Sequence, residues 1–214
     1  MKNIDNLQEQ LEAACRFCNP PEPERILYET DNFYVMVSLG PIIEGYLLIV
    51  TKEHIGACLN IPDNLFEEFL FIKKKVKRVL LNVYGACLFF EHGKIGTSLT
   101  MGEDHKHCLH AHLHCIPTNF QLNKVVGQDF ASHLFETMNE CYESMKGIDK
   151  YLFIEDEVIK TYVPEFKIRK QYLRYKLALS LNHKDRWDWV QNQNWDLINK
   201  TIIRLKPCFN EPFI

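Results

Sequence analysis

Leu109-His110-Ala111-His112-Leu113-His114-Cys115-Ile116 sets three histidines at two-residue spacing with small or apolar residues between them. On a β-strand, side chains alternate between faces, so His110, His112 and His114 project together while Ala111, Leu113 and Cys115 point the other way. A helix would scatter the same positions around its surface. Imidazole works near neutral pH as nucleophile, proton carrier or metal ligand, so a strand that aligns three of them is a candidate chemical site. A half-buried strand that is simply rich in histidine is the alternative reading.

Outward from this run, Gly45-Tyr46-Leu47-Leu48-Ile49-Val50-Thr51-Lys52-Glu53-His54-Ile55 reads as a strand ending in a lysine and a histidine. Phe90-Glu91-His92-Gly93 reads as a strand end followed by a glycine turn, and Pro117 closes the histidine strand. With H-x-H-x-H these segments resemble the histidine triad (HIT) family of nucleotidyl hydrolases and transferases over residues 13–118, about half of the chain.

The resemblance implies an α+β fold, a HIT-like antiparallel sheet with a packed helix, in a catalytic domain spanning residues 1–120. It implies that His112 attacks the α-phosphorus of a nucleotide and forms a nucleotidyl-histidine intermediate, with His114 supporting phosphate oxygens or ring orientation. That chemistry requires a neutral attacking nitrogen whose opposite ring nitrogen donates a hydrogen bond, to a backbone carbonyl of the strand or to His114.

Four positions depart from the family pattern. Lys106 and His107 stand where members carry Gln and Ser or Thr, and a cation or imidazole there would protonate the leaving group; solvated loop residues are the alternative. Ser38, in Val37-Ser38-Leu39-Gly40-Pro41, stands where an acidic residue grips the ribose hydroxyls, and one hydroxyl makes fewer bonds than a carboxylate. Glu91 stands where an Asn often lies near the phosphates, and a carboxylate repels an anion unless it is turned away or protonated. The candidate site is therefore His112, His114 and His107 for catalysis, with Ser38, Glu91 and Lys106 for substrate.

Eight cysteines are spread along the chain without a secretion signal, which favours reduced thiols over a disulfide framework. Only Cys15-Arg16-Phe17-Cys18 forms a close pair, which suits a zinc knuckle, a redox pair or chance. His54 is a third candidate ligand. The zinc-containing branch of the resembled family completes its set with the first triad histidine, which implies a structural zinc on Cys15, Cys18, His54 and His110.

At 214 residues, 46% hydrophobic and 25% charged, the chain can bury a full core. A net charge of -3 supplies no general attraction to nucleic acid or anionic membrane. No apolar run is long enough to span a bilayer and Met1-Lys2-Asn3-Ile4-Asp5-Asn6 lacks a signal-peptide core, so a cytoplasmic location is expected.

The hydrophobic pattern predicts a helix over 6–14, strands over 25–29, 33–37, 46–50, 87–90 and 109–116, and a long amphipathic helix over 63–84. On that helix Leu70, Ile72, Val76, Leu80 and Leu81 are expected inward, and Lys73-Lys74-Lys75 with Lys77-Arg78 form the solvated face. The loop from Gly93 to His107, with three glycines, Thr97, Ser98 and Thr100, suits a lid or phosphate cradle as well as an ordinary surface loop.

Residues 121–214 are expected to form a C-terminal α+β extension packed on this core. It has a helix over 128–146, strands over 151–155 and 158–162, a helix over 167–181 and a last helix over 195–205. Its Tyr172-Leu173-Arg174 and Trp187-Asp188-Trp189 steps are similar to those of bacterial diadenosine polyphosphate hydrolase-like proteins.

The expected function is a nucleotidyl hydrolase or transferase acting on a dinucleoside polyphosphate or an adenylylated small molecule. A non-catalytic nucleotide sensor, or a deadenylating enzyme that uses Lys167, Arg169, Lys170, Arg174 and Lys176 on nucleic-acid ends, are the rival readings. The expected partner is a small nucleotide, with nucleic acid less favoured and no membrane. Pairing into a homodimer is common in the resembled family.

Overall fold

The computed structural model describes residues 15–94 and 109–210. The expected helix over 6–14, most of the 93–107 loop, and both Lys106 and His107 lie outside the described residues.

The fold is α+β. Eight strands form one antiparallel sheet in the order β1-β2-β3-β5-β4-β7-β8-β6. These are β1 (Ile26–Glu29), β2 (Phe33–Val37), β3 (Leu47–Thr51), β4 (Leu88–Glu91), β5 (His112–Ile116), β6 (His133–Phe135), β7 (Leu152–Glu155) and β8 (Ile159–Tyr162). The helices are α1 (Asp63–Tyr84), α2 (Leu122–Val126), α3 (Met138–Met145), α4 (Tyr172–Ser180) and α5 (Trp195–Phe209).

Alternation along the strands divides the interior into two cores, one on each face of the sheet. Phe33, Val35, Ile49, Leu113, Cys115 and Phe89 face one side and pack with residues of α1, α3 and α5. Tyr34, Met36, Leu48, Val50, Phe90 and Ile154 face the other and pack with residues of α2 and α4. Pairing of β4 with β7 continues the sheet from the first half of the chain into the second.

Several elements differ from the sequence reading. The histidine strand is shorter, beginning at His112, so His110 precedes it. The segment expected as one helix over 128–146 contains β6, which pairs with β8 at the sheet edge, and only then α3. Strand pairing made far away in sequence overrides local periodicity there. A legible signal marked the real helix start: Thr137 accepts a hydrogen bond from the Glu140 amide at 3.1 Å, while Glu140 accepts one from the Glu136 amide at 2.8 Å. This is a Ser/Thr-x-x-Glu cap.

Helix α1 spans its expected residues and stops at Gly85, whose φ of +76° suits a residue without a Cβ. Ile72, Val76 and Leu80 are buried as expected, but Leu81 is exposed, one step too far round the helix. Lys73 and Lys75 are buried rather than solvated. Lys73 pairs with the buried Glu155 and lies 4.5 Å from the Phe89 ring centroid, while Lys75 lies 4.6 Å from that of Tyr28. The aliphatic stems of these lysines cover apolar surface while the ammonium groups find a carboxylate or an aromatic face.

Glu91 is buried on the α1 side of the sheet. Its carboxylate accepts from the Cys58 amide at 2.7 Å and from the Tyr151 hydroxyl at 2.5 Å. Burial pushes its pKa up to about 7, against the lowering effect of those two donors.

The turn after β2 is locked by the C-terminal residues. Gly40 has φ +63°, its amide donates to the Gln193 carbonyl at 3.0 Å, and its carbonyl accepts from Arg174 at 2.6 Å. A Cβ there would lie 2.6 Å from the Trp189 Cα and 2.7 Å from the Asn192 carbonyl oxygen.

Gly40→Ala is expected to destabilise the fold by about 2 kcal/mol or more, read by urea unfolding, because left-handed strain and backbone overlap add. Glu91 generates a pH dependence. Its folded pKa of about 7 exceeds the ordinary 4.5, so the folded state retains the proton longer than the unfolded chain does. The resulting stability is complete below about pH 4.5 and is lost as pH rises through about 7. Glu91→Gln is expected to flatten that fall, by about 3 kcal/mol, in unfolding curves taken across this window.

Candidate functional site

The site begins where β3 and β5 pair. Val50 lies opposite His112 and Leu48 opposite His114, and Phe90 of β4 flanks His114 on the other side. Cross-strand partners share a face, so both histidines lie on the α2 and α4 side of the sheet.

His110, just before β5, is held at both ring nitrogens. Its Nε2 lies 2.7 Å from the Thr51 carbonyl oxygen and 3.0 Å from the Thr51 hydroxyl. A carbonyl only accepts, so Nε2 carries the proton and Nδ1 presents its lone pair. Burial pushes the pKa of His110 down to about 4, which keeps the ring neutral.

That Nδ1 faces a cluster. It lies 3.3 Å from His54 Nδ1, 3.5 Å from Cys15 Sγ and 3.6 Å from Cys18 Sγ, and Cys18 Sγ lies 3.2 Å from His54 Nδ1. All four ligand atoms lie within 4.8 Å of one another. A tetrahedral ion with Zn–N of about 2.05 Å and Zn–S of about 2.3 Å requires N···N near 3.3 Å and N···S near 3.6 Å. The donor set thus has the residue types and the spacing to hold such an ion.

Cys58, Cys87, Cys115, Cys141 and Cys208 are free thiols, as expected of a reduced protein. Cys15 departs from that expectation, being disulfide-bonded. It can ligate a metal only once reduced to the thiolate.

His112 hangs from the same residue. Its Nδ1 lies 2.6 Å from the His110 carbonyl oxygen, so Nδ1 donates and Nε2 keeps its lone pair. Burial lowers its pKa and Arg174 lowers it further, against the bond to His110, so the ring is neutral near pH 7. The Phe17 ring, from within the cysteine pair, packs on it with centroids 4.9 Å apart and planes at 32°. Phe17 is itself anchored through its carbonyl, which accepts from the Tyr34 hydroxyl at 2.7 Å.

His114 is buried and stacks on Phe90, with centroids 4.6 Å apart, while meeting His112 edge-on at 4.8 Å. Its Nδ1 lies 2.8 Å from the Tyr46 hydroxyl. Burial holds its pKa well below the usual histidine range, with His112, Arg174 and His92 adding to the effect.

The remaining candidates are placed as follows. Ser38, one step beyond β2, is buried; its amide donates to the Tyr46 carbonyl at 3.0 Å and its hydroxyl donates to the Leu39 carbonyl at 3.3 Å. Strand alternation sets it on the triad face. Glu91 is turned to the opposite face, bonded to Cys58 and Tyr151, so it does not meet the histidines.

Phe17, Tyr46 and Arg174 are contacts that the sequence reading did not single out as site residues. Phe17 lies between two cysteines, Tyr46 has the pattern of an ordinary strand residue, and Arg174 that of a basic helix face. Arg174 is instead buried, with its guanidinium 5.2 Å from the Tyr46 ring centroid.

A family model described as "Protein similar to CwfJ C-terminal" matches residues 3–131. The chain is 27% identical over 145 residues to the adenosine 5'-monophosphoramidase HNT1 of Candida albicans, a match covering 63% of this chain and 90% of that protein. It is 31% identical over 111 residues to the adenosine 5'-monophosphoramidase HNT1 of Saccharomyces cerevisiae, covering 50% of this chain and 64% of that protein. Among solved structures it is similar to a Zn-bound histidine triad family protein from Mycobacterium smegmatis, at 20% identity and a TM-score of 0.38, over 50% of this chain and 76% of that one. The chain belongs to the histidine triad family, among the proteins similar to the CwfJ C-terminal.

Proposed function

We propose that the protein is a nucleotide hydrolase or nucleotidyltransferase that acts through a nucleotidyl-histidine intermediate on His112. The observation that carries this reading is the 2.6 Å contact from His112 Nδ1 to the His110 carbonyl, which leaves Nε2 bare on a neutral ring. In the first step Nε2 bonds to the α-phosphorus and the bond to the leaving group breaks, its electron pair departing with that group, which then takes a proton. In the second step the oxygen of a water or acceptor hydroxyl bonds to phosphorus and gives up its proton to solvent, the P–N bond breaks with its electron pair returning to Nε2, and the neutral imidazole is restored. Positioning and electrostatics supply most of the rate in such transfers.

In this reading His114 attends the phosphoryl oxygens, Lys106 and His107 the leaving group, and Ser38 the pentose. Glu91, turned to the other face, takes no part in binding. The substrate class is an adenylylated small molecule or a dinucleoside polyphosphate. Adenosine 5'-monophosphoramidates come first, because two relatives carry the name of that activity. Small nucleotides are favoured over nucleic-acid ends by the state of the basic residues around α4. Arg174 is buried, Lys176 pairs with Asp129 at 2.6 Å, and the Arg169 guanidinium stacks 3.4 Å from the Tyr175 ring centroid. We read residues 1–120 as the catalytic unit and 121–214 as an extension that completes its sheet. No helix among the described residues is long and apolar enough to cross a membrane.

Cys15, Cys18, His54 and His110 would hold a structural zinc ion. With all four positions filled by protein the site is closed, so the ion would supply rigidity. His110 would then carry that rigidity to His112 through its own carbonyl.

His112→Ala is expected to reduce release of AMP from an adenosine 5'-monophosphoramidate by about a thousandfold while the melting temperature stays within about 3 °C. Undiminished turnover would remove His112 from the chemistry. Protein purified under reducing conditions is expected to contain about one zinc per chain, and Cys18→Ser to lose it together with thermal stability. Equal metal content in the two proteins, by atomic absorption, would dismiss the ligand set.

A further inference from the structure

Two adjacent histidines of like type do unlike work only if something sets their protons apart. For His112 that agent is the His110 carbonyl, which can only accept. For His114 it is a phenol. Tyr46 is fully buried and its oxygen lies 2.8 Å from His114 Nδ1. Between a phenol and a neutral imidazole either group can donate, so distance alone leaves the direction open.

Arg174 settles the direction. Its guanidinium lies 5.2 Å from the Tyr46 ring centroid, a fixed positive charge beside the phenol. A guanidinium has donors and no acceptor, so it cannot receive the phenol's proton, and its positive charge favours an orientation with that proton turned away from it. Burial pushes the Tyr46 pKa up to about 12, so that proton is present near neutral pH. His114 Nδ1 is the acceptor within reach.

Arg174 is itself immobilised. It donates to the Gly40 carbonyl at 2.6 Å, the Trp187 carbonyl at 3.0 Å, the Arg186 carbonyl at 3.2 Å and the Gln171 amide oxygen at 3.1 Å. The His114 ring is equally confined between Phe90 and His112.

We propose that Tyr46, braced by Arg174 of α4, is a positioning residue that fixes His114 as its Nε2–H tautomer, opposite to the tautomer of His112. The nucleophile then presents a bare Nε2 and its neighbour an Nε2–H that donates to a phosphoryl oxygen. A neutral donor held in place meets charge that grows on that oxygen without reorganisation. The extension thereby contributes to the site through a residue that touches no substrate. This inference rests on the proposed function, and deepens it.

The test is a long-range ¹H–¹⁵N correlation spectrum of the full-length protein labelled on histidine nitrogens, which reads each tautomer without substrate. His114 is expected to show an unprotonated Nδ1 and a protonated Nε2, and His112 the reverse. In Tyr46→Phe the ring remains, the hydroxyl is lost, and the His114 nitrogens are expected to move toward a mixture of tautomers. Turnover of an adenosine 5'-monophosphoramidate is expected to fall in kcat on the order of tenfold to a hundredfold, with KM within about twofold. A wild-type His114 protonated on Nδ1 overturns the inference, and does so even if the variant fails to fold. His114 nitrogen shifts in Tyr46→Phe that match the wild type, or a kcat unchanged by that substitution, overturn it too. Failure of the nucleophile assignment would show in His112→Ala turnover and would leave the wild-type His114 spectrum as it is, so the two failures are separable.

Discussion

His110 is engaged at three points, and most of the candidate site hangs from it. One ring nitrogen is bound by Thr51 at the end of β3, the other faces Cys15, Cys18 and His54, and the backbone carbonyl takes the Nδ1 proton of His112. An imidazole cannot shift without losing one of these partners, and each comes from a different stretch of chain. The N-terminal segment, the strand before α1 and the strand of the triad are thereby tied at one residue. The same ties select tautomers, because a carbonyl leaves an imidazole no choice but to donate.

A second constraint comes from the far end of the chain. Arg174 lies buried between the Gly40 turn, the Trp187 segment and the Tyr46 ring, so residues remote in sequence reach the underside of His114. A buried guanidinium is costly unless its donors are met, and here backbone carbonyls meet them. Together with the pairing of β4 and β7, this makes the C-terminal residues part of the same folded body as the triad.

Charge placement follows the same economy. Residues that look like a solvated lysine face include two, Lys73 and Lys75, whose stems lie against Phe89 and Tyr28 in the interior. Glu155 and Glu91 are buried carboxylates on that same side of the sheet, one matched by a cation and the other by neutral donors. The difference in partner accounts for Glu91 being driven toward its protonated form.

By itself the sequence determined the features set by local periodicity and by motif. The H-x-H-x-H spacing put His112 and His114 on one face, the apolar pattern placed α1 over its residues, and the apolar run at 33–37 marked a strand. It also named the four members of the Cys/His cluster through a resemblance, since spacing alone left the cysteine pair open. Tertiary structure decided what depends on partners distant in the chain. His133–Phe135 became a strand because β8 offers an edge, Glu91 turned from the histidines because Tyr151 and the Cys58 amide receive it, and Arg174 left the surface because carbonyls from Gly40, Arg186 and Trp187 converge on it. Tyr46 and Phe17 gained their places for the same reason. A strand residue or a residue between two cysteines carries no local mark of the ring it will touch, because hydrogen bonds and ring contacts across the sheet are made only after the strands have paired.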